Sequence, residues 1–230
     1  MIDGKEAFLA HISRCLGRTE IPKAPSPFAL PSDVHRAYLS EASSEELRRI
    51  FIRNAEANGT IVRSCPGPEA LPDLIAGVLR KLDAEHVVVG RHEFFDRCAL
   101  VPTLRERSVA CRLWAPAKGR EENIAAAERA DAGIVMAECG LAESGTALLL
   151  SGGEAGRSVS LLPAYSLIVL RTGDLRPRLT QGMALLRERR SDLPASAVFV
   201  SGASSTADIE LVPVRGVHGP LKLIYILVDR

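Results

Sequence analysis

Short apolar runs alternate with longer amphipathic segments along most of this 230-residue chain. Residues 86–90 form one such apolar run, and residues 71–82 carry apolar side chains at helical spacing. Regular alternation of strands and helices predicts an α/β domain with a largely parallel sheet. The strands predicted between residues 132 and 170 have no helix between them, so we expect that region to be partly antiparallel.

The element boundaries follow from the same patterns. Ser43 and Glu46 form a capping box that predicts a helix start, and Asn58 with Gly59 predicts its end. Further helices are predicted at 71–82, 121–130 and 175–190. Strands are predicted at 60–62, 86–90, 109–113, 132–136, 145–150, 158–163, 166–170, 198–200 and 221–228. We expect the last two of these strands to lie side by side in one sheet.

The first 36 residues differ from the rest of the chain. Residues 3–18 have the spacing of a short amphipathic helix, and Gly17 is placed to end it. Four prolines follow between residues 22 and 31, too close together for a regular element. The sequence therefore predicts a helix with a proline-rich arm at 1–36 and one domain at 37–230.

Composition excludes several classes of function. A net charge of +1 and an aromatic content of 4% argue against a nucleic-acid-binding protein. No apolar run approaches the roughly 20 residues that span a bilayer, and the N-terminus lacks the apolar core of a signal peptide, so we expect a cytoplasmic protein. The five cysteines lack the spacing of zinc or iron–sulfur ligands, which predicts no metal, cofactor or disulfide.

Three polar, glycine-bearing segments stand out, at residues 142–146, 201–210 and 215–220. The second follows an apolar run, and a Gly/Ser/Thr loop after a strand can direct backbone N–H groups towards an anion. The alternative is a helix start capped by Ser205 or Thr206. Because no dinucleotide-binding or Walker glycine motif is present, nucleotide-binding functions lose support.

In this order, the motifs Ala142-Glu-Ser-Gly-Thr146, Arg157-Ser-Val-Ser-Leu-Leu-Pro163 and the 202–210 and 216–220 segments resemble the LUD domain, most of all the lactate utilisation protein C family. The resemblance covers about residues 40–230. It implies a fold similar to the NagB/RpiA/CoA-transferase group, a mixed, mostly parallel sheet flanked by helices with an antiparallel insertion. It also implies a component without a cluster that accompanies two iron–sulfur subunits in converting L-lactate to pyruvate.

The motifs and the resemblance together nominate the site residues. Glu143, as base or nucleophile, and His218, as proton donor, are the catalytic candidates. We expect Glu143 and His218 to converge in one pocket with Thr206 and Asp208. The ligand-binding candidates are Ser144, Gly145, Thr146, Arg157, Gly202, Ser204, Ser205, Thr206, Asp208, Glu210 and Gly219. His86 and His92 are interpreted as structural.

One departure from the family bears on the ligand. Where the family often has Gly-Pro-Ser and a basic residue before the threonine, this chain has Gly202-Ala203-Ser204 and Ser205. Recognition of a strong anion such as phosphate would then depend on backbone donors and Thr206, or on Arg157 or Arg215.

Three hypotheses about function remain open. The first is an accessory subunit of a lactate-oxidising assembly that binds a small carboxylate or another anionic ligand. The second is a free-standing enzyme of CoA-transferase or isomerase type that uses Glu143 and His218. The third is a regulatory or scaffold protein with a vestigial pocket. For the first hypothesis we expect a blank absorption spectrum and no lactate-dependent dye reduction by the isolated protein. Turnover of an acyl-CoA or a sugar phosphate would favour the second.

Overall fold

The structure is a computed structural model that describes residues 4–20, 32–189, 192–206 and 214–229. It divides the chain into two compact units, Met1–Asp33 and Val34–Arg230. The smaller unit contains helix α1 (Lys5–Cys15). The larger unit contains helices α2 (Val34–Ala37), α3 (Ser44–Ala57), α4 (Leu71–Lys81), α5 (Glu93–Arg97), α6 (Leu100–Glu106), α7 (Gly119–Glu128), α8 (Ser158–Leu161) and α9 (Leu179–Glu188).

Six parallel strands form the main sheet of the larger unit, in the order β1-β12-β7-β4-β2-β3. They are β1 (Ile61–Cys65), β2 (His86–Val89), β3 (Ala110–Leu113), β4 (Ala132–Met136), β7 (Tyr165–Arg171) and β12 (Lys222–Val228). Strand β12 pairs with β1 and with β7, and its residues from Leu223 to Val228 are buried. Such near-continuous apolar strands are typical of parallel sheets covered on both faces.

Helices cover both faces of this sheet. Ile224 and Ile226 pack in one hydrophobic core with side chains of α4, α5 and α6. Leu223, Tyr225 and Leu227 pack in the other core with side chains of α3, α7 and α8. Because successive strand residues point to opposite faces, one strand contributes to both cores.

A second sheet of four strands packs beside the second core in the order β8-β5-β6-β9. Its strands are β5 (Cys139–Leu141), β6 (Thr146–Ser151), β8 (Leu175–Arg176) and β9 (Ser196–Val200). Strand β6 is antiparallel to both β5 and β9. The mixed fold with an antiparallel insertion is therefore confirmed. Strands β10 (Ser205–Thr206) and β11 (Val214–Arg215) form a separate short ribbon.

The expectation that the last two long strands lie in one sheet was wrong. Strand β9 pairs with β6 in the four-stranded sheet, whereas β12 lies in the six-stranded sheet. The hydroxyl of Tyr225 in β12 donates to the Val200 carbonyl oxygen at 2.7 Å, so the two strands meet across layers. An apolar run indicates that a strand is buried, but it does not indicate which strand it pairs with.

Two further predictions need correction. The apolar run at 158–163 contains a helical turn, α8, because buried strands and buried helical turns share the same composition. Here the turn packs against Gly133, where a Cβ atom would collide with the Val159 carbonyl oxygen. The helix predicted from residue 175 begins at Leu179, because Pro177 disfavours helical geometry at Arg176, and residues 175–176 form β8 instead.

The predicted start of α3 is confirmed, since the Ser43 hydroxyl accepts from the Glu46 N–H at 3.2 Å. Among the residues that the structure describes, none of the helices has the length and apolar character needed to cross a membrane.

Candidate functional site

A cleft of about 510 Å³ opens between β9 and the amino-terminal ends of β7 and β12. We call it the β9 cleft. Five of the candidate ligand or catalytic residues line it, namely Gly202, Ser204, Ser205, His218 and Gly219. Its remaining lining residues are Asn58, Ser160, Leu161, Ser166, Val198, Phe199, Val200, Ser201, Ala203, Pro220 and Leu223.

Gly202 shapes the loop that follows β9, and Gly216 joins this loop to another segment. Gly202 has φ of +87°, and a Cβ atom there would lie 2.6 Å from the Asn58 carbonyl oxygen. Only glycine meets both conditions without strain. The loop is joined to the segment before β12, because the Gly216 N–H donates to the Ser204 carbonyl oxygen at 2.9 Å. This contact holds the serine-rich loop beside the 218–220 turn.

A hydroxyl network connects the β9 cleft to the turn between β5 and β6. Asn58 Nδ2 donates to the Ser144 carbonyl oxygen at 2.8 Å and to Ser201 Oγ at 3.1 Å. Thr146 Oγ1 donates to Ser201 Oγ at 3.1 Å and lies 2.7 Å from Ser144 Oγ. Ser144 and Thr146 thus reach the cleft through Ser201 and do not line it themselves.

Ser166 is the most unusual residue of the β9 cleft. It is 1% exposed, and its hydroxyl has no hydrogen-bond partner. A buried hydroxyl without a partner is destabilising, so each instance in a native structure calls for an explanation such as a bound molecule. Ser160, also buried, donates to the Arg157 carbonyl oxygen at 3.3 Å. Among the buried hydroxyls of the described cleft residues, that of Ser166 is therefore the one without a partner.

Glu143 makes different contacts from those of the β9 cleft. Its carboxylate accepts from Arg178 Nε at 2.6 Å, and the two side chains are 36% and 23% exposed. Arg178 also donates to the Val34 carbonyl oxygen at 2.6 Å and lies over the Tyr38 ring. Asn54 Nδ2 donates to the Glu143 carbonyl oxygen at 2.8 Å. These contacts fix the turn, and Glu143 is not among the residues that line the cleft.

The other candidate residues lie at several places. Gly145 packs on the backbone of α3, where a Cβ atom would lie 2.6 Å from the Ala55 Cα atom. Arg157 is exposed at the start of α8, and Thr206 pairs with Val214 in the short ribbon. Asp208 and Glu210 lie outside the described residues.

The thiols of the larger unit are poorly suited to metal binding or nucleophilic chemistry. Burial raises the pKa of both Cys111 and Cys139 to about 11, and it raises the pKa of Cys65 and Cys98 as well. The reactive and metal-binding species is the thiolate, which these shifts disfavour at neutral pH. Within the described ranges no group of three His, Cys, Asp or Glu side chains is arranged to hold a metal ion.

A family model described as the LUD domain matches residues 48–228. The chain belongs to the LUD domain family. A relative from Bacillus subtilis strain 168 named Lactate utilization protein C is 44% identical over 238 residues, covering 99% of this chain and 97% of that protein. A protein of the same name from Halalkalibacterium halodurans is 35% identical over 235 residues, covering 100% and 99% of the two chains.

The fold has a counterpart among solved structures. A crystal structure of a DUF162 family protein from Deinococcus radiodurans superimposes with a TM-score of 0.59, covering 81% of this chain and 98% of that one. At 24% sequence identity this likeness bears on the fold alone.

Four polar residues that line the β9 cleft in this LUD domain are not among the candidates: Asn58, Ser160, Ser166 and Ser201. Asn58 was interpreted only as a helix end, since its contacts lie about 85 to 145 residues away in sequence. The sequence did contain an indication for Ser166, because this hydroxyl residue lies in an otherwise apolar strand that is buried in the sheet.

Proposed function

We propose that this protein acts in lactate utilisation as the component, without an iron–sulfur cluster, of a cytoplasmic L-lactate oxidation system, and that its β9 cleft binds a small hydroxy or oxo acid. The full-length similarity to proteins named Lactate utilization protein C supports the process. The finer role, as a partner of two iron–sulfur subunits that convert lactate to pyruvate, is what the resemblance of residues 142–146 and 202–220 to the lactate utilisation protein C family implies.

The unpartnered Ser166 hydroxyl is the observation that carries the ligand assignment. Around it, four other serines, the Asn58 amide and the His218 imidazole line the cleft beside apolar Leu161 and Leu223. No Asp, Glu, Lys or Arg of the described residues lines it. A small acid presents a carboxylate that accepts from such donors, a hydroxyl or oxo group, and a methyl group for the apolar wall.

The same contacts favour an accessory role over a free-standing CoA-transferase or isomerase. That alternative needs Glu143 and His218 in one site, whereas the Glu143 carboxylate is held by Arg178 at 2.6 Å and His218 lines the β9 cleft. The Glu143 carboxylate is therefore held outside the cleft that His218 lines. Among the described residues, those that line the cleft provide donors for binding, and His218 is the one titratable side chain there.

Ligand binding is tested by titrating L-lactate and pyruvate into the isolated protein with calorimetry. Ser166→Ala should weaken binding about tenfold, because one hydrogen bond to a charged ligand is lost. Ser196→Ala is the matched control, since the Ser196 hydroxyl is also buried and without a partner but does not line the cleft. Equal affinities for the two variants, or no binding of either acid, would contradict the assignment.

The accessory role is tested by affinity purification from native extract. Recovery of two cysteine-rich iron–sulfur proteins, together with lactate-dependent dye reduction only in the reassembled mixture, is the expected result. Dye reduction by the isolated chain, or turnover of an acyl-CoA or a sugar phosphate, would refute the role and favour the enzyme.

A further inference from the structure

The strand order of the main sheet reverses between β2 and β4. The chain continues from β2 to β3 on one side, and from β4 to β7 on the other side. In open parallel sheets, ligands bind outside the carboxyl ends of the strands at such a reversal. The β9 cleft lies instead at the amino-terminal ends of β7 and β12, so the reversal point is a separate place on the molecule.

A second cleft of about 410 Å³ occupies the reversal point, and we call it the switch-point cleft. Gly90 directly follows β2 in this cleft, and Glu138 follows β4. The loop at 152–155 lies against the strand end, because the Arg91 N–H donates to the Glu154 carbonyl oxygen at 2.8 Å. A Cβ atom on Gly90 would lie 3.0 Å from the Ala155 Cβ atom. The size is that of a small-molecule site.

Paired charges of both signs line the switch-point cleft. Arg189 donates to the Glu138 carboxylate at 2.6 Å, and Arg91 lies 3.0 Å from Glu154. Asp192 adds a third carboxylate. Three carboxylates would repel an anion bound here, and two guanidinium groups would repel a cation. An uncharged ligand rich in hydroxyl groups can donate to the carboxylates and accept from the guanidinium groups without adding a charge of its own to the cleft.

His92 adds a hydrogen-bond donor with a fixed tautomer. Its Nδ1 atom accepts from the Phe94 N–H at 3.1 Å at the start of α5, so the proton of the neutral ring is on Nε2. Burial lowers the pKa of His92, which keeps the ring neutral near pH 7. The cleft thus contains a neutral N–H donor next to the two ion pairs.

We propose that the switch-point cleft binds a small uncharged polyol, such as a free monosaccharide or a cyclitol. The carboxylates of Glu138 and Glu154 accept from its hydroxyl groups, and Arg91, Arg189 and His92 donate to them. This site goes beyond the role in lactate utilisation and shares none of the residues that line the β9 cleft.

The single tryptophan of the chain reports on this site. Trp114 Nε1 donates to the Gly153 carbonyl oxygen at 2.9 Å, and a Cβ atom on Gly156 would lie 2.5 Å from Cζ2 of its ring. D-Ribose, D-glucose and myo-inositol are titrated into the full chain while Trp114 fluorescence is followed, and ligand-observed NMR provides a second readout. We expect saturable binding with a Kd of about 1 mM for at least one of them.

Substitutions then localise the binding. Glu138→Gln should weaken it about tenfold, and the more exposed Glu154→Gln serves as a second variant in case the first fails to fold. Glu122→Gln, which changes an ion-paired carboxylate outside the cleft, and Ser166→Ala should leave it unchanged. The proposal is overturned if no polyol saturates below about 50 mM, or if neither cleft variant weakens binding. Preferential binding of inorganic phosphate or of ammonium would also overturn it.

Discussion

Replacing Gly145 with alanine should destabilise the larger unit more than most single substitutions. Gly145 has φ of +59°, and an added Cβ atom would lie 2.6 Å from both the Ala55 Cα atom and the Asn54 carbonyl carbon. The left-handed conformation costs an alanine about 1–2 kcal/mol. Because the obstacle is backbone of α3, which cannot rotate away as a side chain can, the clash adds about 1–3 kcal/mol. We expect a total loss of about 2–5 kcal/mol.

The assay is urea unfolding followed by circular dichroism, with Gly77→Ala as the matched control. Gly77 lies inside α4, has no neighbouring atom within 4 Å of an added Cβ, and has no positive φ. Alanine there should raise the free energy of unfolding by about 0.5–1 kcal/mol. The two glycine-to-alanine changes should therefore move the urea midpoint in opposite directions. If Gly145→Ala leaves the midpoint where it is, the close packing of the 143–146 turn on α3 is not as the structure has it.

The remaining predictions concern other parts of the molecule. Tyr225→Phe should cost about 1 kcal/mol in urea unfolding, since it removes the hydrogen bond to Val200 between the two sheets, and an unchanged midpoint would contradict that role. His92, whose pKa is lowered by burial, should contribute stability that is complete above its unfolded pKa and lost as the pH falls below it. His92→Asn, which retains an N-cap for α5, should reduce the loss of stability between about pH 7 and pH 5, and an unaltered pH profile would refute this. A chain without residues 1–33 should retain one cooperative thermal transition, because Val34 begins the larger unit, and loss of cooperativity would place the first segment within the core.

The main sheet could be predicted because its signals are local. The segments that form β2, β4, β7 and β12 are short and apolar. The apolar residues of α4 recur at helical spacing. The capping box at Ser43 and Glu46 fixed the start of α3 through contacts three residues apart. Helices α5 and α6 were missed, because each has fewer than eight residues and too few turns for a periodic pattern.

The site could be predicted only in part, because its geometry depends on pairing between distant strands. The Gly202 to Ser205 loop and the 218–220 turn do line one cleft, as polar segments next to strands suggested. The Glu143 carboxylate pairs with Arg178, and no spacing in the sequence joins positions 35 residues apart. Asn58 and Ser166 enter the cleft through the placement of β9 on β6, which the sequence pattern did not predict.

The pairing of β6 with β9 also relates the two clefts to each other. At one end of this pair, Thr146 joins the hydroxyl network of the β9 cleft, and at the other end Leu150 and Ser151 line the switch-point cleft. The two ends of β6 lie about 17 Å apart at the usual rise of a strand. Five aligned residue pairs run from Ala147 and Val200 to Ser151 and Ser196. Because the two clefts share no lining residue, occupancy of one should leave the affinity of the other unaltered, as expected of separate sites for the proposed acid and the proposed polyol.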